Sequence, residues 1–234
     1  MHSIASVSCG DNSSEPTNAT TLNMKKGDNP TTLGNSDVYI NSNDNFRSNN
    51  YAILDVGAVK SLGSVPELTN FESLNSEVAV VPGNGYIVCS PSAIKRFPSG
   101  EYAINVESGY YKMRVEKTLI EKDSQGSDVN SGAQVKFALV YPNKYKLPAS
   151  GTHVPKYAKY NRWAAVVAPS KDCEVISENS DVEIRKYDAN YEPELGKADG
   201  CHYIAELKEY NSEGKYRVFI RMKSSYTTVL IDFN

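Results

Sequence analysis

From Val129 to Lys171 the chain carries seven lysine or arginine residues and no aspartate or glutamate. Aromatic side chains are interleaved with these charges: Tyr141, Lys144, Tyr145, Lys156, Tyr157, Tyr160, Arg162 and Trp163 follow one another around a loop, Leu147 to Pro155, that is bounded by two prolines. Tyrosine and tryptophan offer flat apolar faces with polar edges, which suit sugar rings, and lysine and arginine suit carboxylate or sulfate groups. These eight residues are therefore the candidate binding set, for a glycan or a protein partner. The plainer alternative is that the tyrosines pack at strand ends while the lysines solvate a loop. The whole chain has a formal net charge of −3, which excludes a globally basic nucleic-acid binder.

Catalytic constellations are missing from the sequence. It has no Gly-x-Ser-x-Gly elbow, phosphate loop, His-Glu-x-x-His or dinucleotide fingerprint. The three histidines, His2, His153 and His202, are scattered, and no two cysteines have Cys-x-x-Cys spacing, so neither a zinc site nor a cofactor is expected. His202 and Glu206 would share a strand face, a weak basis for a dyad. Asn41-Ser42-Asn43-Asp44-Asn45 starts like a calcium loop, but Phe46 and Ala52 stand where glycine and glutamate are required, so an Asn-rich β-turn is expected. A carboxylate pair for glycoside hydrolysis obeys no sequence spacing, which leaves a hydrolase as an alternative reading. Cys89 lies in an apolar run and reads as a buried thiol. Cys173 and Cys201 lie at strand edges and could pair as a disulfide in an oxidising compartment.

The elements that must position these residues are strands. The 234 residues include 21 valines and 16 tyrosines but only 12 leucines and 2 glutamines. Such a balance favours strands over long helices. The 21 asparagines and 26 serines mark turns and loops. Apolar runs at 38–40, 51–56, 78–81 and 86–89 read as strands, with Pro82-Gly83-Asn84-Gly85 as a turn and one helical turn over 92–97. Tyr102, Ile104 and Val106 alternate against Ala103, Asn105 and Glu107, and Ser108-Gly109 predicts a turn into the next strand. There Tyr111, Met113, Val115 and Leu119 share a face. The polar stretch 123–132 predicts the mobile tip of a hairpin that returns over 134–141. Further strands are expected at 163–168, 174–176, 182–184 and 202–207, and in a final pair with Tyr216, Val218, Ile220 and Met222 inward, then Val229 and Ile231. A hairpin turn is expected at 211–214. About ten strands imply an all-β fold, an antiparallel sandwich or barrel, either one domain over 37–234 or two tandem sandwiches breaking near 123–133.

The first nine residues are small and weakly apolar and end at Cys9, after which Gly10 to Thr17 is polar. This resembles the junction of a bacterial lipoprotein: small Ala5-Ser6-Val7-Ser8 precede a cysteine, although Ser6 stands where leucine is usual. The resemblance implies that residues 1–9 are the remnant of a signal segment and that Cys9 carries a lipid. Residues 10–36 then read as a disordered tether reaching on the order of 30 Å. Lipoprotein-like start, tether and Tyr/Asn-rich β body together resemble uncharacterised cell-surface lipoproteins of Bacteroides-type bacteria. That implies an envelope location, at the outer membrane or cell surface. It also implies a non-catalytic module for glycan or protein ligands, with a structural role in envelope assembly as the alternative. Fractionation of the full-length protein tests the anchor: retention in the membrane is expected, with release into the soluble fraction in Cys9→Ala.

Overall fold

The computed structural model describes residues 14–27, 32–142, 147, 151–153, 163–188, 201–208 and 214–233. These residues contain seventeen strands, numbered in chain order, and two single 3-10 turns, with no α-helix. The all-β expectation holds. The chain divides into two units: Met1–Pro91 with Tyr110–Val140, and Ser92–Gly109 with Tyr141–Asn234.

The first unit is built on a five-stranded antiparallel sheet. It contains β1 (Thr20–Lys25), β4 (Ala52–Ala58), β6 (Asn84–Cys89), β9 (Tyr110–Lys122) and β10 (Asp128–Val140), in the order β1-β10-β9-β6-β4. A second sheet of three short strands, β2 (Tyr39–Ile40), β3 (Asn45–Arg47) and β5 (Glu77–Ala79), packs against it. Met24, Ile53, Val88, Met113 and Val135 meet Ile40 and Phe46 in one apolar core. The rings of Phe46 and Tyr86 pack edge-on at 5.0 Å. The buried Tyr86 hydroxyl donates to the Ala79 carbonyl (2.8 Å) and accepts from the Val81 N–H (2.9 Å), so its burial leaves no polar group unsatisfied.

β1 corrects the expected tether. Within 10–36 the described residues include a six-residue strand paired along β10, with Met24 fully buried. The physical reason is a short alternation, Leu22 and Met24, which a polar-looking segment needs only twice to seal a sheet edge. The hairpin tip is also more regular than expected. β10 begins at Asp128, and the Asp123 carboxylate accepts from Gln125 N–H (2.8 Å) and Ser127 N–H (2.9 Å), closing a tight turn. The expected break near 123–133 therefore falls inside one hairpin of one unit. Leu119 leaves the face assigned to it: a bulge between Lys117 and Val115 makes Thr118 the partner of buried Ala133, so the side-chain phase slips by one.

The second unit has a six-stranded sheet. Its path is β13 (Glu174–Ser177), β16 (Gly214–Met222), β17 (Ser225–Phe233), β8 (Tyr102–Asn105) and β7 (Ile94–Arg96), with β11 (Gly151–His153) also beside β17. A three-stranded sheet, β12 (Trp163–Val167), β15 (Cys201–Leu207) and β14 (Val182–Lys186), has the order β12-β15-β14. Val175, Val218, Ile220, Ile231 and Phe233 of the large sheet pack against Ala164, Val166, Ala205 and Leu207 of the small one. The large sheet buries its other face too, where Phe97, Ala103 and Tyr226 gather Ile176 and Phe219. Tyr216, Val218, Ile220 and Met222 face the core as expected.

Three further expectations are corrected. β8 and β9 do not form a hairpin: β8 pairs with β7 and, in parallel, with β17. Ala103 and Ile104 are both buried, so β8 is covered on two sides and alternation alone misreads it. β15 and β16 belong to different sheets, and Ile94–Arg96 is strand where a helical turn was expected. β17 has two parallel neighbours, β8 and β11, whereas the other strand pairs among the described residues are antiparallel.

Gly132 marks the tightest approach in the first unit. It has φ +144°, and a Cβ there would lie 2.0 Å from the Met24 carbonyl oxygen. Gly132→Ala is expected to lower stability by roughly 3 kcal/mol through separation of β1 from β10, measured by chemical denaturation.

Candidate functional site

Of the eight residues expected to bind ligand, the structure places two. Tyr141 follows β10 with its side chain 55% exposed. Trp163 opens β12 and packs, half-buried, with Tyr187 against Ala165 and Ile204. It therefore serves the face of the small sheet turned away from the core, and Tyr141 is not part of that cluster. Lys144, Tyr145, Lys156, Tyr157, Tyr160 and Arg162 lie outside the described residues, as does Cys9. Lys136, from the same basic run, pairs with Glu15 at 3.2 Å.

Several other chemistry-bearing groups among the described residues are in structural roles. Burial pushes the Cys89 thiol up to about 12, leaving it protonated and inert at neutral pH. Cys173 is a buried free thiol, also pushed up by burial, and the side chain of Cys201, its expected disulfide partner, lies outside the described residues. The Tyr203 hydroxyl bridges this corner, its one proton shared between the carbonyls of Lys171 (2.8 Å) and Cys173. His202 and Glu206 are four residues apart on β15, about 13 Å along a strand, and Glu206 pairs with Arg185 at 3.2 Å. Asn41 forms the expected turn: its side-chain oxygen accepts from the N–H groups of Asn43 (2.9 Å) and Asn45 (3.0 Å). The amides of Asn45 and Asn41 hold the exposed Glu77 carboxyl below the usual carboxylate range. No group of three potential metal ligands converges among the described residues.

A groove in the second unit was not legible in the sequence. β7 and β13 are the two ends of the six-stranded path, yet residues in and just beyond them meet: Lys95 of β7 pairs with Glu178, one residue past β13, and the N–H and hydroxyl of Ser99, past β7, donate to Glu174 of β13 at 3.0 and 2.6 Å. Arg221 donates to the same carboxylate at 2.9 Å. The Lys95 ammonium lies 4.2 Å from the Phe219 ring centre, and the Arg221 guanidinium 5.7 Å from that of Phe97. The sheet thus curls until its ends are joined by charge and hydrogen bonds. Beside this seam lies an open groove of about 590 Å³, lined by Phe97, Pro98, Ile176 and Ile184 with Arg96 and Glu178 as its charged groups. Its walls come from residues about eighty positions apart, a separation no local pattern reports.

The family described as Domain of unknown function (DUF5036) matches residues 21–234. No curated protein and no solved structure matches the chain.

Glu174 holds the seam. Burial acts against its charge, but hydrogen bonds from Ser99 and Arg221 outweigh burial and keep its carboxyl below the usual range. A carboxylate with a depressed folded pKa stabilises the fold above the unfolded value, and that contribution is lost as pH falls through the folded one. Glu174→Gln is expected to cost about 1 kcal/mol at neutral pH. The gap from the parent should close as the pH is lowered through and below the carboxylate range, followed by urea denaturation.

Proposed function

The chain belongs to the DUF5036 family, and we propose that it is a binding module of the bacterial envelope, held by a lipid on Cys9, whose ligand is an extended segment of another protein. The observation that carries this reading is the groove beside β13. Its size falls in the range of ligand sites, and its floor is aliphatic and aromatic rather than a flat ring open for stacking. Phe97 is only 2% exposed, so it can supply apolar wall but no platform for a sugar. Arg96 and Glu178 provide one charge of each sign for orienting a polar main chain. A glycan ligand is the second reading, favoured by one observation: the Tyr141 ring is more than half exposed.

The two readings part in one pair of experiments, a displayed peptide library and a glycan array, both probed with the parent, Arg96→Glu and Tyr141→Ala. Enriched peptides whose affinity falls roughly tenfold in Arg96→Glu and holds in Tyr141→Ala support the groove. Glycan binding abolished by Tyr141→Ala supports the second reading, and peptide binding indifferent to Arg96→Glu removes the first.

A further inference from the structure

The distal half of β9 has one open edge. β6 accompanies β9 only from Tyr111 to Arg114, and the last main-chain bond on that side runs from Gly83 N–H to the Val115 carbonyl at 2.8 Å. Beyond it, among the described residues, Lys117 to Lys122 pair with β10 alone. At the tip, the Asp123 N–H donates to the Ser127 carbonyl (2.9 Å) and the Asp123 carbonyl accepts from Gly126 N–H (3.0 Å). The main chain of Asp123 therefore faces into the hairpin. Alternation then turns the N–H and C=O groups of Lys122, Ile120 and Thr118 outward, toward the open edge. Ile120 is also the most exposed large apolar side chain among the described residues, at 56%. An edge of this kind is a template for another strand.

We propose that the strand it takes is the same edge of a second copy of this chain, antiparallel, about a twofold axis through Ile120. In that register the two Ile120 residues exchange both main-chain hydrogen bonds, and Thr118 does the same with Lys122 of the second copy. On the opposite face Lys117 meets Asp123 of the second copy, twice by symmetry, and Leu119 meets Glu121. The neighbouring registers are worse. A one-residue slip sets inward-facing groups against outward-facing ones and brings Lys117 opposite Lys122. An axis through Glu121 opposes two glutamates. An axis through Leu119 drives Asp123 of the second copy against Val115, whose carbonyl Gly83 already occupies. Charge and main-chain phase thus select a single self-complementary pairing, and the lysines that would repel a random strand accept this one. The inference stands independently of the ligand reading above.

Sedimentation equilibrium of the full chain over a range of concentrations tests it. A reversible monomer–dimer equilibrium is expected. Ile120→Pro removes two hydrogen bonds across the axis without touching the hairpin's own, since that N–H faces outward. It is expected to weaken the dimer roughly tenfold or more. Lys117→Glu sets like charges opposite Asp123 and is expected to weaken it to a similar extent. Lys117 is exposed, so this variant decides the matter should near-ultraviolet circular dichroism show that Ile120→Pro disturbs the fold. A monomer at every concentration overturns the proposal, as does a dimer that Lys117→Glu leaves unweakened.

Discussion

A main-chain N–H or C=O withdrawn from water must meet a partner, and a segment without α-helices must find that partner sideways, on another strand. Most of what is distinctive here descends from that requirement. β1 is mostly exposed and carries one fully buried side chain, yet it runs six residues along β10 and closes an edge that would otherwise stand open. Gly132 exists in that seam because no Cβ fits between the two backbones. Where β7 and β13 end the curled sheet, side chains take over from the main chain, and the Ser99–Glu174–Arg221 and Lys95–Glu178 contacts hold what no ladder holds.

The same requirement accounts for the interleaving of the units. Residues 92–109 leave the first unit, contribute β7 and β8 to the second, and return as β9. β8 can sit inside a sheet because Ala103 and Ile104, on its two faces, are both buried, with Ala103 toward Phe97 and Tyr226 and, just past the strand's end, Val106 in the other core. A strand polar on one face could not have been accommodated there without stranding its polar groups. Neither unit is a continuous stretch of chain. Cutting near 123–133 would divide the β9–β10 hairpin, which supplies the centre of the first unit's sheet.

The two surfaces proposed for binding both lie where lateral pairing stops. The groove beside β13 lies at an end of one sheet, and the open stretch of β9 lies beyond the reach of β6 in the other. Several groups with intrinsic reactivity among the described residues are placed elsewhere, in structural roles. Cys89 and Cys173 are buried and protonated, Tyr86 is hydrogen-bonded inside the core, and Glu77 is occupied by two asparagine amides.

Alternation along Tyr216 to Met222 and along Tyr111 to Val115 was readable because period-two patterning is a property of neighbouring residues. The same holds for the buried Cys89 and the Asn41 turn, both set within a few positions. Leu119 was misassigned because a bulge, which no side chain announces, resets the phase. β8 was misread because burial on two faces erases the contrast that alternation depends on. The basic and aromatic run was visible as composition, but Trp163 proved to be packing and Tyr141 to be exposed, a distinction made by what lies opposite each ring. The sequence by itself determined that this is a strand-forming chain, where most strands lie and which way many of their side chains point, since those depend on local sterics. Only the tertiary structure decided which strands pair, which edge stays open and which distant residues share a groove. Strand pairing is a hydrogen-bond choice between segments far apart in the chain, and many pairings satisfy the same local pattern.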